Sequence, residues 1–455
     1  MRIWLAGRWE DLRTSFWFLP SIMVAGAVVF SLATISLDKA TADHNWIAML
    51  GWTFSRGPEG SRAVLSVVAG SMMTITSVTF SITIVALQLA SSQFGPRLLR
   101  NFMGDRGNQV AIGTFIATYT YCLLVLRTVN GTDDQEFVPH ISVTVGLFLS
   151  LASLGVLIYF IHHAAASIQA ENVIASVNYE LQKAIHRLYP ENLGEEPPIE
   201  PDPLVLPKLP DDFDRDSRPI SDSRSDYLQA IDVDNVLELA KKHDLVISIR
   251  IQPGKFYFAG NDLARVWPKN RVDDEMVESI RGVFYLGSRR SLSQDIEYAI
   301  DQLVEIAVRA LSPGVNDPFT AMTCIDRLGA SLCLLTSRVI PSPNRLDDEG
   351  RLRVLTTTSS IDGILDAMFN QIRQAARGDV SVTMRLLETF AAVARQTRDP
   401  AFQASLRRHA ELVHRGSREG VLDPSDREDV SARYRQVMDI LDGIADLPPT
   451  PGPRA

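Results

Sequence analysis

Four long apolar stretches occupy the first part of this chain of 455 residues and constrain its fold more than any other feature. They cover residues 16–37, 63–90, 108–127 and 141–163. Each has the length of about 20 helical residues that a bilayer crossing requires. The first stretch lacks a convincing cleavage site, so we interpret it as a retained span and not as a secretory signal peptide. The sequence therefore predicts a transmembrane domain with four spans over residues 1–163.

The distribution of arginines predicts the orientation of these spans. Basic residues precede the first span and fill the connection between the second and third spans, at Arg2, Arg8, Arg13, Arg97, Arg100 and Arg106. The connection over 129–140 instead carries Asp133, Asp134 and Glu136 and has no lysine or arginine. Because cytoplasmic loops are enriched in lysine and arginine, we expect both termini to lie in the cytoplasm.

After the spans the sequence becomes charged and acidic, which is typical of a soluble domain. A helical extension is predicted over 164–190, and an acidic, proline-rich linker over 191–224. Periodicity favours a small α/β module over 225–270 and a helical domain over 271–446, followed by a disordered tail at 447–455. The expected fold class is a mainly α membrane protein. Its four-helix transmembrane domain precedes a cytoplasmic α+β domain, built from a small β-containing module plus a helical bundle.

The second span carries many hydroxyl groups and no ionisable residue before Arg97. At about 100° per residue, its small and hydroxyl-bearing residues share one helix face. They are Ser66, Gly70, Thr74, Ser77 and Ser81. In a ring of subunits this face would line a pore, with Met73 and Ile84 as an apolar constriction. Arg97 and Arg100 would then favour anions at the pore mouth or bind lipid phosphate.

A local explanation of the same hydroxyl groups stays open. A serine or threonine hydroxyl can donate to a carbonyl of its own helix, and small residues let neighbouring helices pack closely. No Asp, Glu or Lys lies within the four stretches. Proton-relay and ion-coupled carriers depend on such intramembrane charges, so these two classes are disfavoured.

The segment "ALSPGVNDPFTA" at residues 310–321 interrupts a helical pattern. Pro313 disfavours helical geometry at the preceding residue, and Gly314 can adopt a positive φ, so a helix should end here. Asp317 and Pro318 have the residue types of an N-cap and a first helical position. The pattern predicts a corner between two helices, and Asp–Pro pairs at 399–400 and 423–424 predict two further helix starts.

The same corner is a candidate binding or interface site. Its turn explains Asp317 but leaves Asn316 and Thr320 less constrained. Together with Asp295 and Arg309, these residues would form a polar pocket at a helix N-terminus that binds an anion, a small ligand or a partner. Asx residues are also common in turns for purely local reasons, so a structural corner remains the alternative.

Other chemistry has little support in the sequence. It has no P-loop, HExxH, CxxC or GxSxG motif, so we expect no enzymatic activity, no catalytic residue, no cofactor and no metal site. Cys122, Cys324 and Cys333 have neither a disulfide framework nor metal-ligand spacing. His162 and His163 end the fourth stretch and point about 100° apart, which favours interfacial packing over a metal site and leaves a pH-sensing role open.

Several segments resemble a family of predicted bacterial membrane proteins, domain of unknown function 2254. The similarity is carried by "SQDIEYAIDQLVEIAVRALSPGVNDPFTA", "DYLQAID", "QPGKFYFAG" and the span "VTFSITIVALQLASSQFGPRLLRNF". The resemblance implies a multi-pass protein of the bacterial inner membrane with a cytoplasmic domain. It implies no activity and no catalytic residue.

Two functional hypotheses follow. The first is an oligomeric ion channel or pore-like protein lined by the second span and regulated by its cytoplasmic domain. The second is a membrane-anchored signalling or ligand-binding protein whose cytoplasmic domain recognises a small anion or a protein partner. The expected partners are the lipid bilayer, further copies of the chain and a small ion or anionic ligand. The net charge of −9 disfavours nucleic acid as a partner.

Overall fold

A computed structural model describes residues 15–41, 57–98, 102–132, 135–191 and 209–443. The chain divides into two compact units, the first ending at Asn172 and the second beginning at Val173. Arg100, residues 192–208 of the predicted linker and the predicted tail at 447–455 lie outside the described residues.

The first unit contains four long helices among its described residues: α1 (Phe18–Thr41), α2 (Pro58–Phe94), α3 (Arg106–Leu126) and α4 (His140–Ser167). A short antiparallel pair, β1 (Asn130–Thr132) and β2 (Gln135–Phe137), connects α3 to α4. Helix α3 packs against each of the other three helices. The core therefore forms around α3, with large buried side chains at Leu65, Phe115, Tyr121 and Phe160.

Helix α1 continues past the predicted end of the first span. A buried polar side chain in its last turn forms hydrogen bonds to another helix. Asp38 is 6% exposed, and its carboxylate accepts hydrogen bonds from the backbone amides of Ile141 and Ser142 at 2.8 and 2.9 Å. The Ser142 hydroxyl donates to the same carboxylate at 2.6 Å. The first amides of a helix have no partner within that helix, so Asp38 caps α4 from a different helix.

Helix α2 has 37 residues and is longer than the predicted span. At about 1.5 Å per residue it measures about 55 Å, compared with about 30 Å for the hydrocarbon core of a bilayer. The helix ends at Gly95, which has a φ of 112° and is followed by a 3-10 turn over Pro96–Leu98. The Gly–Pro pair at residues 95–96 therefore ends the helix.

The second unit combines helices with two small sheets. Its helices are α5 (Ala170–Leu188), α6 (Phe213–Asp216), α7 (Val233–Lys242), α8 (Asp274–Arg281), α9 (Ile296–Ala310), α10 (Pro318–Thr336), α11 (Ile361–Ala375), α12 (Val380–Ala394), α13 (Pro400–Gly420) and α14 (Pro424–Leu441). Its strands are β3 (Arg218–Ile220), β4 (Asp226–Ile231), β5 (Val246–Ile249), β6 (Phe256–Tyr257), β7 (Ala264–Trp267), β8 (Phe284–Gly287), β9 (Asn344–Leu346) and β10 (Leu352–Leu355).

The five-stranded sheet has the order β3-β7-β5-β10-β9, and the three-stranded sheet has the order β6-β4-β8. Strands β5 and β10 are parallel, with Ile247 opposite Val354, and the other neighbours are antiparallel. Apolar side chains from both sheets and from α7 and α8 share one core. Strands β8, β9 and β10 lie outside the predicted α/β module at 225–270, in the stretch that periodicity assigned to helices alone.

Helices α9 to α14 pack side by side in the second unit. Aspartates cap the starts of α10, α13 and α14, and in each helix a proline occupies the first turn. These three starts confirm the predicted Asp–Pro pairs. Five helices in the described part of the chain are long and apolar enough to cross a membrane, namely α1 to α4 and α10. The four predicted spans do not include α10, which packs against α9 and α12.

Candidate functional site

The residues predicted to line a pore share one exposed face of α2. We call this face the α2 stripe and define it by Ser66, Gly70, Met73, Thr74, Ser77, Ser81 and Ile84, all of which are exposed in the first unit. A Cβ added at Gly70 would meet no described atom within 4 Å. The stripe is therefore uncovered by the described residues of its own chain and is available to lipid, water or another molecule.

Three of the four hydroxyl groups of the stripe form hydrogen bonds within α2. Thr74, Ser77 and Ser81 each donate to the carbonyl four residues earlier, at distances of 3.1, 3.0 and 2.9 Å. A hydroxyl bonded in this way can lie in hydrocarbon without a lost donor, and its oxygen can still accept a hydrogen bond. These hydrogen bonds are thus compatible with a surface that faces lipid and with a surface that faces water.

A second group of hydroxyls on α2 faces the interior of the unit. Thr79 and Thr83 are buried, and Thr83 donates to the carbonyl of Thr79 at 2.9 Å. The Thr79 hydroxyl oxygen has no hydrogen-bond partner among the described atoms. The helix therefore divides its hydroxyl groups between an internal packing face and the exposed α2 stripe.

Gln88 extends the α2 stripe and was missed by the sequence analysis. It follows Ser81 by seven residues, which is about two helical turns, so the two side chains share a face. Gln88 is exposed, and its amide has no hydrogen-bond partner in the described part of the chain. The seven-residue spacing was the signal that could have identified it. Arg97 lies exposed in the turn that follows α2, and Arg100 lies outside the described residues.

The predicted corner between helices is confirmed at residues 310–317. Helix α9 ends at Ala310, whose carbonyl accepts from the amide of Asp317 at 2.8 Å. The Asp317 carboxylate accepts from the backbone amide of Thr320 at 3.1 Å and from its hydroxyl at 2.6 Å. Asn316 has a φ of 51°, a left-handed conformation that asparagine tolerates better than most residues. The turn thus gives Asn316 and Thr320 structural roles.

The structure places Arg309 beside this corner but separates Asp295 from it. Asp295 caps the first turn of α9, whereas Arg309 lies in its last turn. The two residues are therefore about 20 Å apart along the helix at about 1.5 Å per residue. Asp295 is 4% exposed and forms a two-bond ion pair with Arg290, at 2.7 and 3.0 Å. It also lies on the wall of a cavity of about 190 Å³ in the second unit.

Of the two adjacent histidines in the last two turns of α4, His163 packs against neighbouring side chains. His163 Nε2 lies 2.5 Å from Asp105 Oδ2, and its ring stacks on Tyr159. Asp105 also caps α3 by accepting from the amide of Gly107 at 2.9 Å. Among the residues that the structure describes, no group of three or more His, Cys, Asp or Glu side chains has the arrangement of a metal site.

Comparisons with known proteins give a family. Residues 13–392 match the model of predicted membrane proteins with domain of unknown function 2254. An uncharacterized protein of Mycobacterium bovis and one of Mycobacterium tuberculosis are each 32% identical over 453 residues, covering 97% of this chain and 84% of the relative. No solved structure matches the chain significantly. With its apolar helices and this match over most of its length, the chain belongs to the family of predicted membrane proteins with domain of unknown function 2254.

Proposed function

We propose that this protein is a homo-oligomeric, pore-forming ion channel in which the α2 stripe of each subunit faces a common axis. The observation that carries the proposal is the exposure of all seven residues of the stripe, combined with the burial of the second hydroxyl group of α2. The bilayer, further copies of the chain and a small ion are its partners. The proposal includes a bacterial inner-membrane location with both termini in the cytoplasm, and regulation of the pore by the second unit.

Among the described residues of a single first unit, side chains fill the centre and leave no conduit there. Helix α3 packs against the other three helices, and its large side chains fill the middle of the unit. A pore must therefore form between subunits, and a closed ring with rotational symmetry places the same face of every subunit on the axis. The exposed stripe meets this geometric requirement.

Gln88 extends the polar character of the α2 stripe into the last two turns of the helix. Its exposed amide can bond to water or to a partner there. Met73 and Ile84 are 52% and 47% exposed and would narrow the pore with apolar groups. Arg97 and Arg100, beyond the end of α2, would attract anions to the cytoplasmic mouth or hold lipid phosphate.

The proposal is tested by single-channel recording of the purified full-length protein in planar bilayers. Ser77→Leu fills the proposed lumen with an apolar side chain, so we expect unitary currents of the wild type to be abolished or strongly reduced. Ser71→Leu is the matched control, because Ser71 is also exposed on α2 but lies about 120° around the helix from Ser77. Equal currents in both variants, or no current from a folded wild-type oligomer, would contradict the proposal.

A further inference from the structure

The second unit contains a cavity that the pore proposal does not use. It has a volume of about 190 Å³ and is lined by the C-terminal end of α5, the first turn of α9, the β9 strand and the segments after β5 and β10. We call it the β5/β10 cavity. Its volume equals that of about six water molecules at about 30 Å³ each, and it is below the range of about 300–1,000 Å³ that is typical of sites for drug-sized ligands. A ligand in it has to be small.

Topology places this cavity where open α/β sheets commonly bind ligands. Strands β5 and β10 are parallel neighbours, so their carboxyl ends lie at the same edge of the sheet. Gln252 and Pro253 follow β5, and residues 356–359 follow β10, and all of them line the cavity. Ligands of open α/β sheets bind outside the carboxyl ends of the strands.

A tyrosine hydroxyl on the wall of the cavity lacks a protein partner. Tyr189 is 6% exposed as a whole residue, and its hydroxyl makes no hydrogen bond to any residue that the structure describes. The hydroxyl itself is not fully buried, so it can reach water or a ligand in the cavity. Burial raises the pKa of Tyr189 to about 12, and Glu297 acts in the same direction. The hydroxyl is therefore protonated at neutral pH and can donate to a ligand oxygen.

The charges on the wall favour an anion. The Glu297 carboxylate is paired with Lys255 Nζ at 2.7 Å and accepts from the Ser359 hydroxyl at 3.2 Å. Asp295 is paired with Arg290. Arg345 is half-buried on the wall and has no carboxylate partner within the described ranges. The acidic groups are thus neutralised within the protein, whereas one guanidinium remains available.

The remaining wall is largely apolar. Leu188, Ile231, Ile249 and Ile340 line the cavity together with Pro253 and Pro341. A fully hydrated inorganic ion would gain nothing from these side chains, but a short hydrocarbon group would be removed from water. One available guanidinium matches one negative charge on the ligand.

We propose that the β5/β10 cavity binds a small organic monocarboxylate, with its carboxylate on Arg345 and Tyr189 and its short apolar group against the isoleucine-rich wall. Guanidinium and carboxylate form two parallel charge-assisted hydrogen bonds, which fixes the orientation of the ligand. Thr357 and Thr358 are exposed at the rim and provide further hydroxyl donors. This site lies wholly in the second unit and is independent of whether α2 lines a pore.

The test measures binding to the full-length protein in detergent by ligand-observed saturation-transfer NMR, with isovalerate as the probe. Isovaleramide has the same shape without the charge. Inorganic phosphate has charge without the apolar group and carries no carbon-bound proton, so it is added as a competitor of isovalerate. We expect saturable binding of isovalerate, negligible binding of isovaleramide and no displacement of isovalerate by phosphate. Equal binding of isovalerate and isovaleramide, displacement of isovalerate by equimolar phosphate, or no saturable binding of isovalerate would overturn the proposal.

Three variants locate the bound probe. Arg345→Met should weaken isovalerate binding about tenfold or more, because a charge-assisted pair is lost. Tyr189→Phe keeps the packed ring, so its fold should be retained, and should weaken binding about fivefold. Arg351→Met is the control, since Arg351 is an exposed arginine in the turn between β9 and β10 and is not on the cavity wall. Unchanged affinity in Tyr189→Phe and a folded Arg345→Met would refute the assignment.

Discussion

At the residue scale, His409 shows how a titratable group becomes part of a core. It is fully buried in α13, between the rings of Phe369 and Phe390. Its Nε2 lies 3.2 Å from Asp366 Oδ1, and the same oxygen accepts from Arg408 at 2.8 Å. Burial lowers the pKa of His409 to about 4, with Arg408 acting in the same direction and Asp366 in the opposite direction.

This shift predicts an acid-sensitive α13. The unfolded histidine has a pKa of about 6.5, so between about pH 6.5 and about pH 4 the unfolded state binds a proton that the folded state does not. The free energy of unfolding should therefore fall as the pH is lowered through this window, by on the order of 3 kcal/mol for this one group. Hydrogen exchange of the α13 amides in the full-length protein, corrected for intrinsic rates, measures this decrease in the free energy of unfolding.

The variant His409→Phe separates this effect from other acid titrations. It keeps an aromatic ring between Phe369 and Phe390 and removes the titrating group. The pH dependence of α13 opening should become flatter between about pH 6.5 and about pH 4. An equally steep dependence in the variant would assign the acid sensitivity to another group.

The sequence was most informative at residues with local roles. Asp317, Asp399 and Asp423 were predicted as caps because each precedes a proline, and a cap depends only on the next few residues. The sequence did not identify Tyr189 and Arg345 as site residues, because neither belongs to a local motif. The two residues are 156 positions apart in the sequence, and they line the same cavity only in the folded chain.

At the element scale, the contact between α1 and α4 is the clearest source of stability in the first unit. Asp38 supplies the N-terminal cap that α4 lacks, since Pro139 precedes the helix and makes no side-chain cap. Replacing Asp38 by alanine would leave two amides of α4 without their acceptor. The bonds are charge-assisted and mostly buried, so the effect should exceed that of an ordinary exposed cap.

We therefore expect Asp38→Ala to reduce the free energy of unfolding of the first unit by roughly 2–3 kcal/mol. Asp38→Asn retains one carbonyl acceptor and should cost less. Thermal unfolding of the full-length protein in detergent, followed by tryptophan fluorescence, measures the loss. Lys39→Ala is a neighbouring exposed control in the same turn. A melting temperature that is equally unaffected by all three changes would refute the structural role of the cap.

Elements with strong periodicity were predictable, and short strands were not. The apolar stretches and the amphipathic helices extend over many turns, so their period could be read from the sequence. Strands β8, β9 and β10 have 3 or 4 residues each, too few to establish an alternating pattern between helices. The position of β10 depends on β5, which no local pattern reveals. This is why the β5/β10 cavity was absent from the sequence-based site.

At the scale of the whole molecule, the composition change after residue 163 lies close to the division between the two units at Asn172. The sequence thus indicated a mainly helical membrane protein, and the family match supports this description. The assembly of subunits depends on their exposed surfaces. A prediction of the assembly therefore required knowledge of the exposed face of α2. The stripe residues were predictable from helical spacing, but their exposure depended on the packing of α3.

The oligomer is tested by cysteine cross-linking in native membranes. Ser77→Cys and Ser71→Cys are introduced into a background in which Cys122, Cys324 and Cys333 are replaced. A ring with the α2 stripe at its axis should give dimers and higher products with a short bis-maleimide at position 77, and far fewer at position 71. Equal cross-linking at both positions, or none at position 77, would argue against this arrangement.

The pairing of β5 with β10 also has a consequence during synthesis. Ile247 and its partner Val354 are separated by 107 positions, which is the difference between their numbers. At a translation rate of about 5–20 residues per second, β5 has to wait on the order of 5–20 s for the neighbour that covers its edge. The first unit has by then left the ribosome. A nascent chain that stalls after β5 has emerged from the ribosome and before β10 is made therefore carries an open sheet edge, a surface that chaperones and proteases recognise.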